Sequence, residues 1–328
     1  FWKRSHSAFM RAWAWACFWL AFKATEPWYQ KIATVYPVGS EQWVSGWIGM
    51  LDKMRVWTGP RITRTPAPQT YVVPILPFEL TESIDKFKIQ DDQHGIYAPI
   101  IAHMGTQSMK CPDYQLRDLI QNTGFWTGAF QNGTDGLTHW HAAHPVDFYD
   151  ASKGTYPNDF GTAGVTINGQ TVGGSFSTQS FNSLWSEMAS RKSESGEPLG
   201  LVPDMAFGAP QNRAAMATVL NTQFFAPPVM GNLGTGVAAS ANAPFVGAME
   251  NPLKGWADVE VQADFATQPT AWYLLVTKWA VKPFSWLERE GIIITPRISP
   301  TDPSVFDTHT FLFGAERRGA PAWSLPFL

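Results

Sequence analysis

The first 47 residues of this chain contain seven of its 16 tryptophans, and this density constrains the fold more than any other feature of the sequence. A fully buried tryptophan removes about 150–250 Å² from water, which is worth on the order of 4–6 kcal/mol by area. A segment with so many of these side chains needs a surface to pack against. With 328 residues, the chain is long enough to bury a sizeable core, as one large domain or as two.

The tryptophan-rich segment reads as a helix that ends at Pro27. Its apolar residues recur at helical spacing, at Phe9, Trp13, Ala16 and Leu20. The run Ala8 to Phe22 resembles a membrane segment superficially, but it contains Arg11 and is too short to cross roughly 30 Å of hydrocarbon. A signal peptide would also need a small-residue cleavage site before Lys23, which is missing. We therefore predict an arm that packs on its own fold or docks on a partner, with no membrane role.

Charge is scarce in this chain, and its aromatic content is high. Charged residues make up 16% and aromatic residues 14%, so much of the surface is expected to be covered, most simply by other copies of the chain. A net charge of −3 argues against a dedicated nucleic-acid binder, although the arm is locally basic and permits weak contact with polyphosphate. Two cysteines, Cys17 and Cys111, form no disulfide framework and favour a reducing cytoplasm.

The stretch Arg61 to Gln90 is studded with proline, which excludes a helix and a central strand. Interleaved apolar residues still favour extended backbone: Tyr71, Val72, Val73, Ile75 and Leu76. Two interpretations fit this ribbon equally well. It is either a long excursion stabilised by contacts outside its own fold or an ordinary edge hairpin.

The rest of the chain mixes helices and strands. A long helix with a kink or break near Pro112 is predicted between Asp91 and Gly124. Asn168-Gly169 signals a hairpin, and an amphipathic helix follows from Phe181 to Met188. Next come a short strand within Leu199 to Phe207 and a helix opened by Pro210.

The carboxy-terminal part is predicted to be mostly strand. Ala257 to Phe265 alternates with period two, which predicts a strand with one buried face. Gln268-Pro269 is expected to turn it into a hairpin with Trp272 to Val276, and a last strand lies around Phe306 to Phe313. The fold class predicted from these elements is α+β.

The sharpest enzyme-like signal is the cluster His139, His141 and His144, which could supply three zinc ligands. Asp135 and Asp147 are near enough in sequence to accept hydrogen bonds from such histidine ligands and so orient them. The spacing matches no specific zinc signature, so a metal-dependent enzyme is the runner-up hypothesis. A third hypothesis is a carbohydrate-binding protein, because tryptophan-rich patches also bind sugars by stacking.

Other motifs carry no chemistry. The glycine-rich stretch from Gly161 to Gly174 lacks the Gly-Lys-Ser/Thr ending of a phosphate loop. Asp91 and Asp92 precede a helix, where acids usually interact with the helix dipole. We therefore predict no catalytic, cofactor-binding or metal-binding residues.

Seven blocks in order along the chain resemble the Mu-like prophage major head subunit, a family of tailed-phage capsid proteins. The quoted segments are WYQKIATVYP, GWIGMLDKMRVWTGPR, ESIDKFKIQDDQHGIYAPIIAHMG with the following CPD, HPV, GEPLGLVPDMAFGAPQNRAAMATVL, NPLKGWADVEVQADFATQPTAWYLLVTKWAVKPFSWLERE and FDTHTFLFGAERRGAP. None is catalytic, and the evidence lies in their number and their order.

The resemblance implies the Hong Kong 97-type (Johnson) capsid fold. Its parts would be an amino-terminal arm over 1–55, an extended loop with peripheral strands over 56–90, the spine helix of the peripheral domain over 91–124, an axial domain over 125–252, and a return to the peripheral domain with a last strand and tail over 253–328. Within the second part, Arg61 to Leu80 would be the loop that reaches over a neighbour.

The resemblance also implies a function and partners. The chain would be a major capsid protein that assembles into hexamers and pentamers of an icosahedral shell around phage double-stranded DNA, held without sequence-specific contacts. Expected partners are copies of itself, a scaffold, a portal and decoration proteins, in the virion and, during assembly, in the host cytoplasm. Some relatives weld their shells by a Lys–Asn bond from the extended loop, but no lysine lies between Lys53 and Lys86 here. Non-covalent association is therefore expected.

Two groups of residues are the predicted assembly sites. Trp13, Trp19 and Trp28 are the arm anchors that would dock on another subunit. The apolar part of the ribbon would knit neighbouring subunits together; it consists of Tyr71, Val72, Val73, Ile75 and Leu76.

Overall fold

A computed structural model describes residues 2–47, 69–92, 95–147, 150–161, 163–167, 170–225, 249–325 and 327. The helices are α1 Trp2–Ala24, α2 Tyr29–Ile32, α3 Lys86–Gln90, α4 Tyr97–Ile120, α5 Thr178–Ala189, α6 Arg213–Leu220 and α7 Pro303–Thr308. The strands are β1 Ala33–Pro37, β2 Gln42–Trp47, β3 Gln69–Pro74, β4 Leu76–Asp85, β5 His144–Pro145, β6 Thr155–Tyr156, β7 Val165–Ile167, β8 Gln170–Val172, β9 Met205–Gly208, β10 Phe224–Phe225, β11 Met249–Glu250, β12 Asp258–Val261, β13 Trp272–Leu275, β14 Phe284–Arg297 and β15 Thr310–Trp323.

The chain divides into two compact units. Unit 1 comprises Phe1–Val44, Val72–Thr127 and Ser285–Ala322, and unit 2 comprises Ser45–Tyr71, Gly128–Phe284 and Trp323–Leu328. The predicted α+β class is confirmed, since both helices and sheets are present in each unit. The chain re-enters unit 1 at Ser285, whereas the return to the peripheral domain was predicted at 253, and that domain boundary stays a prediction.

Unit 1 is built on a four-stranded sheet with the order β1-β14-β15-β4. Strand β4 lies at an edge and pairs antiparallel with β15, so that Pro77 faces Arg318. An edge is where a strand tolerates proline, because the missing N–H would point away from the ladder. One apolar cluster joins the sheet to the two long helices, with Phe311 and Phe313 from β15, Ile101 and Met104 from α4, and Phe18 from α1.

The long helix α4 confirms the predicted helix but not its break. It runs without interruption from Tyr97 to Ile120 and holds Pro112 in its interior. Pro99 occupies the first turn, where its missing N–H has no helical partner to lose. Of the two predicted alternatives near Pro112, a kink or a break, the break is wrong, because another residue replaces the hydrogen bond that Pro112 removes, as described below.

The helical arm is confirmed, and the structure shows which of its faces is buried. Among residues 9–24 of α1, the buried ones are Met10, Ala14 and Phe18, whereas Phe9 and Leu20 are 65% and 76% exposed. This helix carries apolar residues all around, so the sequence allows more than one stripe to face the core. Which stripe is buried was decided by the shape of α4.

Within the described part of the proline-studded ribbon, residues 69–85 are strand on both sides of Ile75, but Lys86–Gln90 form α3, so excluding a helix from the whole of Arg61 to Gln90 was wrong. Strand β3 pairs with β2, and residues 48–68 between them, including the start of the ribbon at Arg61, lie outside the described part. From Leu76 onward the chain belongs to the four-stranded sheet as its edge strand β4. Assigning everything up to Leu80 to an extended loop was therefore wrong, because residues 76–80 are held by hydrogen bonds to β15.

Unit 2 contains a three-stranded sheet with the order β12-β9-β13. The predicted hairpin between β12 and β13 is wrong, because β9 lies between them, parallel to β12 and antiparallel to β13. All four residues of β9 are buried, and such a strand gains more from a central position than from an edge. The alternation of apolar and polar residues in β12 correctly predicted a strand, but it did not predict which strand lies beside it.

Several local predictions in unit 2 are confirmed. Helix α5 buries Phe181, Leu184 and Met188 in the apolar cluster of this unit. Strands β7 and β8 form the antiparallel pair predicted from Asn168-Gly169. A short 3-10 turn at Pro210–Asn212 leads into α6.

Candidate assembly surfaces

The arm is fixed to unit 1 by a close contact between α1 and α4. A side chain at Gly105 of α4 would collide with the backbone oxygen of Phe18 in α1. Glycine thus lets the two backbones approach at this point, and the side chain of Phe18 is fully buried beside it. The buried face of α1 follows from this contact, since Ala14 and Met10 lie one and two turns before Phe18 on the same face.

The opposite face of α1 is exposed and apolar. We call it the outer arm face and define it as Phe9, Ala12, Trp15, Ala16 and Leu20. Trp15 is 47% exposed, and its ring lies 5.9 Å from that of Trp19. A helix that is apolar on both faces is normally covered on both.

The three predicted arm anchors occupy different environments. Trp13 and Trp19 are partly buried, and both pack against the core cluster of unit 1. Trp28 is only 5% exposed and so is buried within its own subunit. Next to it, the backbone N–H of Tyr29 donates to Oδ1 of Asp113 over 2.8 Å. Trp28 therefore helps to hold the arm on unit 1, and Trp15, which the sequence did not single out, is more exposed.

A buried arginine, Arg317 of β15, compensates for the proline inside α4. Pro112 has no N–H, so the carbonyl of Ser108 lacks the partner that an α-helix would supply. Nη1 of Arg317 donates to that carbonyl over 3.2 Å, and Nη2 donates to Oε1 of Glu288 over 3.1 Å. The guanidinium also lies 5.2 Å from the ring of Trp286. Arg317 therefore completes the hydrogen bonding of α4 across its proline.

The predicted ribbon residues are mostly buried in their own subunit. Tyr71, Val73 and Ile75 are 8%, 1% and 6% exposed, whereas Val72 is 49% exposed and Leu76 is partly buried. Burial raises the pKa of the Tyr71 phenol well above its usual value. Of these five residues, Val72 offers the most surface to a neighbour.

The histidine cluster is arranged for packing rather than for binding a metal. His144 is fully buried; its Nδ1 pairs with the carboxylate of Asp135, and its Nε2 donates to the carbonyl of His139 over 2.9 Å. Nδ1 of His141 accepts from the N–H of Ala143 over 3.1 Å. Among the described residues, no group of three or more His, Cys, Asp or Glu side chains could hold a metal ion.

His139 is stacked inside unit 2. Its ring lies 4.0 Å from that of Trp323 at an angle of 8°. Burial lowers the pKa of His139 well below its usual value, and the nearby charges of His144 and Arg191 lower it further. His139 is therefore neutral in the folded protein near pH 7.

Two exposed aromatic sites were missed by the sequence analysis. In unit 2, the rings of Trp185 and Trp256 lie 4.8 Å apart, and Trp256 is 39% exposed. In unit 1, Phe306 of α7 is 76% exposed. No local signal separates these side chains from core aromatics, because exposure depends on what packs over them. Among the helices described here, none combines the length and apolar character needed to span a bilayer.

Comparison with known proteins agrees with this architecture. The family described as Mu-like prophage major head subunit gpT matches residues 8–167 and 251–328. One of the seven sequence blocks that resemble the family, Gly196 to Leu220, lies between these two ranges and is not covered by the family match. The major capsid protein of Escherichia phage Mu is 30% identical over 144 residues, which are 44% of this chain and 42% of the Mu protein. The match thus spans less than half the length of that relative.

Solved capsid structures share the fold at low sequence identity. The procapsid subunit of bacteriophage JBD30 has a TM-score of 0.51 and 16% identity, over 97% of this chain and 72% of that chain. The capsid of a native GTA particle has a TM-score of 0.50 and 11% identity, over 91% and 86%. The fold is therefore the Hong Kong 97-type fold of phage capsid proteins. With its family match over most of its length, the chain belongs to the Mu-like prophage major head subunit family.

Proposed function

We propose that the chain is a shell-forming subunit that associates into hexamers and pentamers of an icosahedral capsid around double-stranded DNA. The observation that carries the proposal is the family match over residues 8–167 and 251–328, together with the capsid fold. The role is structural rather than catalytic. Assembly would take place in the host cytoplasm with a scaffold and a portal, and decoration proteins would bind the finished shell in the virion.

The surfaces of unit 1 support this proposal. The outer arm face leaves Phe9 and Leu20 largely exposed, and α7 adds Phe306. A monomer that stays alone in water rarely exposes an apolar helix face such as the outer arm face, whereas obligate interfaces are apolar. Contacts between copies would be non-covalent, and DNA would be held without base-specific contacts.

Particle mass tests the proposal. Analytical ultracentrifugation followed by negative-stain microscopy should show rings, tubes or closed shells, far above the 36.4 kDa of one chain. A monomer at every concentration, with and without a co-expressed scaffold, would contradict it. Stoichiometric zinc by elemental analysis would favour the metalloenzyme instead, and saturable binding of oligosaccharides would favour the sugar-binding alternative.

The assembly residues can be tested separately. Replacing Trp13 and Trp19 with Ala, or Val72 with Ser, should reduce shell formation if the arm and ribbon join subunits, whereas deleting Val72 to Leu76 would also remove Val73 and Ile75 from the core of their own subunit. Trp28→Ala should instead destabilise the isolated subunit, because that side chain is buried in it. A more selective variant is Phe9→Ser with Leu20→Ser, which changes two exposed positions. Its subunits should stay folded by circular dichroism but fail to form particles.

A further inference from the structure

At the end of β15 the chain returns to unit 2, whose main part is Gly128–Phe284. Everything between Phe284 and Trp323 belongs to unit 1. We call the returning segment the strap and define it by its described residues, which are Trp323, Ser324, Leu325 and Phe327. The strap therefore joins unit 2 from a position in the sequence that lies beyond two long strands of unit 1, β14 and β15.

The first two residues of the strap are fixed to unit 2 by specific contacts. The ring of Trp323 stacks on that of His139, and its Nε1 donates to the carbonyl of Phe130 over 3.2 Å. The backbone N–H of Ser324 donates to the carbonyl of Pro283 over 3.1 Å. Trp323 is almost fully buried by these surroundings. This half of the strap thus connects the beginning and the end of the main part of unit 2.

The second half of the strap completes the apolar core of unit 2. Phe327 is buried in the same cluster as Phe181 of α5 and Ala206 of β9. Its ring lies edge-on to that of Trp279, with 5.6 Å between the ring centres. Leu325 packs against this cluster and is partly buried. Without the strap, the cluster would lose an aromatic ring and expose apolar surface to water, which destabilises a core.

A buried arginine links the strap to two other segments of unit 2. Nη1 of Arg191 donates to the carbonyl of Phe327 over 3.2 Å and to Oδ1 of Asn158 over 3.1 Å. Nη2 donates to the carbonyl of Pro157 over 2.8 Å and to the carboxylate of Glu187 over 3.1 Å. The Arg191 side chain is only 4% exposed. Removing the strap would take an acceptor away from a buried cation, which is costly because water does not replace it there.

The order of synthesis gives the strap contacts a consequence. Helix α5 and strand β9 are made before β14 and β15, and most of the strap is made after all of them. Domains generally fold as units during synthesis, with the amino-terminal parts first. A contact between two residues cannot form before both have been made, and Arg191 and Phe327 are 136 positions apart. The core of unit 2 therefore stays incomplete while the two long strands of unit 1 are synthesised.

We propose that the strap is a closing device for unit 2, so that Gly128–Phe284 reaches a stable fold only when Trp323 to Phe327 dock on it. A chain that lacks the strap would carry an unfinished unit 2, whose apolar cluster and buried arginine miss their last partners. In a shell-forming subunit, this device would keep incomplete chains out of the shell. That consequence rests on the proposed function, whereas the closing of unit 2 by the strap does not.

Amide hydrogen exchange of the full chain tests whether unit 2 depends on the strap. Phe327→Ala should accelerate exchange at least tenfold in α5 and β9, because the whole cluster opens more often when the strap is weakened. Phe224→Ala is the matched control, since it makes the same replacement in unit 2 at a side chain that is 52% exposed. The control should change exchange in α5 and β9 less than twofold. Acceleration confined to residues 323–327, or equal in the two variants, would overturn the proposal.

The order of folding is measured on the natural chain, so a variant that fails to fold cannot obscure it. After dilution from urea, pulse labelling should show the amides of α5, β9 and Ser324 gaining protection at one common rate. Protection of α5 and β9 at least tenfold faster than that of Ser324 would overturn the proposal. Neither measurement requires assembly. A chain that passes both but never forms particles contradicts only the proposed function, and a chain that forms particles but fails both contradicts only the strap.

Discussion

The guanidinium of Arg317, on β15, donates to the backbone carbonyl of Ser108, on α4, over 3.2 Å. In a regular helix that carbonyl would accept from the residue four positions later, which here is Pro112. A strand residue more than 200 positions away therefore supplies the hydrogen bond that a proline withholds. This explains how α4 continues through a residue that usually breaks a helix.

Arg317 and Pro112 should be energetically coupled. Arg317→Met should destabilise α4 by about 2–4 kcal/mol, because it orphans a buried carbonyl and the partly buried Glu288 carboxylate. In a Pro112→Ala background the restored amide should pair with Ser108, so the cost should fall by about 1 kcal/mol. Amide hydrogen exchange across residues 108–116 measures both values. If Arg317→Met destabilised the natural chain and the Pro112→Ala variant equally, Arg317 would not be compensating for the proline.

Asp113 should control how firmly the arm is held. Asp113→Ala removes the acceptor of the Tyr29 N–H, so the segment around Trp28 should open more often. Trypsin should then cut after Lys23 or Lys31 several times faster than in the natural chain. Asp113→Asn keeps an oxygen at the acceptor position and serves as the control. Similar cleavage rates for Ala and Asn variants would argue against a specific role for this hydrogen bond.

Gly105 should tolerate no side chain. Gly105→Ala would force α1 away from α4, at a cost of about 1–3 kcal/mol for overpacking. Gly39→Ala is a matched control, because a methyl group there would meet no atom within 4 Å. Thermal unfolding followed by tryptophan fluorescence should show a lower midpoint for the first variant only. If the unfolding midpoint fell equally in both variants, the cause would be a general effect of replacing glycine.

Lowering the pH should reduce the free energy of unfolding of unit 2, because His139 is neutral in the folded protein and becomes protonated when the protein unfolds. The folded protein holds this ring neutral, with its pKa well below the usual 6.5, whereas the unfolded chain protonates near that value. The contribution of His139 to the free energy of unfolding is therefore fully present above about pH 6.5. It is lost as the pH falls below that value, by at most about 1.4 kcal/mol per pH unit.

His139→Phe tests this pH dependence, since it keeps a flat ring to stack on Trp323 and cannot be protonated. Urea midpoints between pH 7.5 and 5.0 should fall more steeply for the natural chain than for the variant. Parallel curves would show that His139 does not contribute to the pH dependence.

Local chemistry determined much of what could be predicted. The arm helix, α5, α6 and the β7–β8 pair follow from periodicity, proline and turn signals that act over a few residues. The order of motifs along the chain also pointed to the capsid family. Long-range pairing was harder to foresee, since nothing in the alternation of β12 shows that β9 lies beside it rather than β13.

The sequence by itself determined that the arm is an apolar helix, that the backbone around Tyr71 to Leu76 is extended and that no phosphate-loop motif is present. Tertiary structure alone decided which face of the arm is buried, because that choice depends on Gly105 of a distant helix. It also decided that α4 stays unbroken, because the missing hydrogen bond comes from Arg317. Burial and hydrogen bonding between residues far apart in the chain depend on three-dimensional proximity, which a local pattern does not encode.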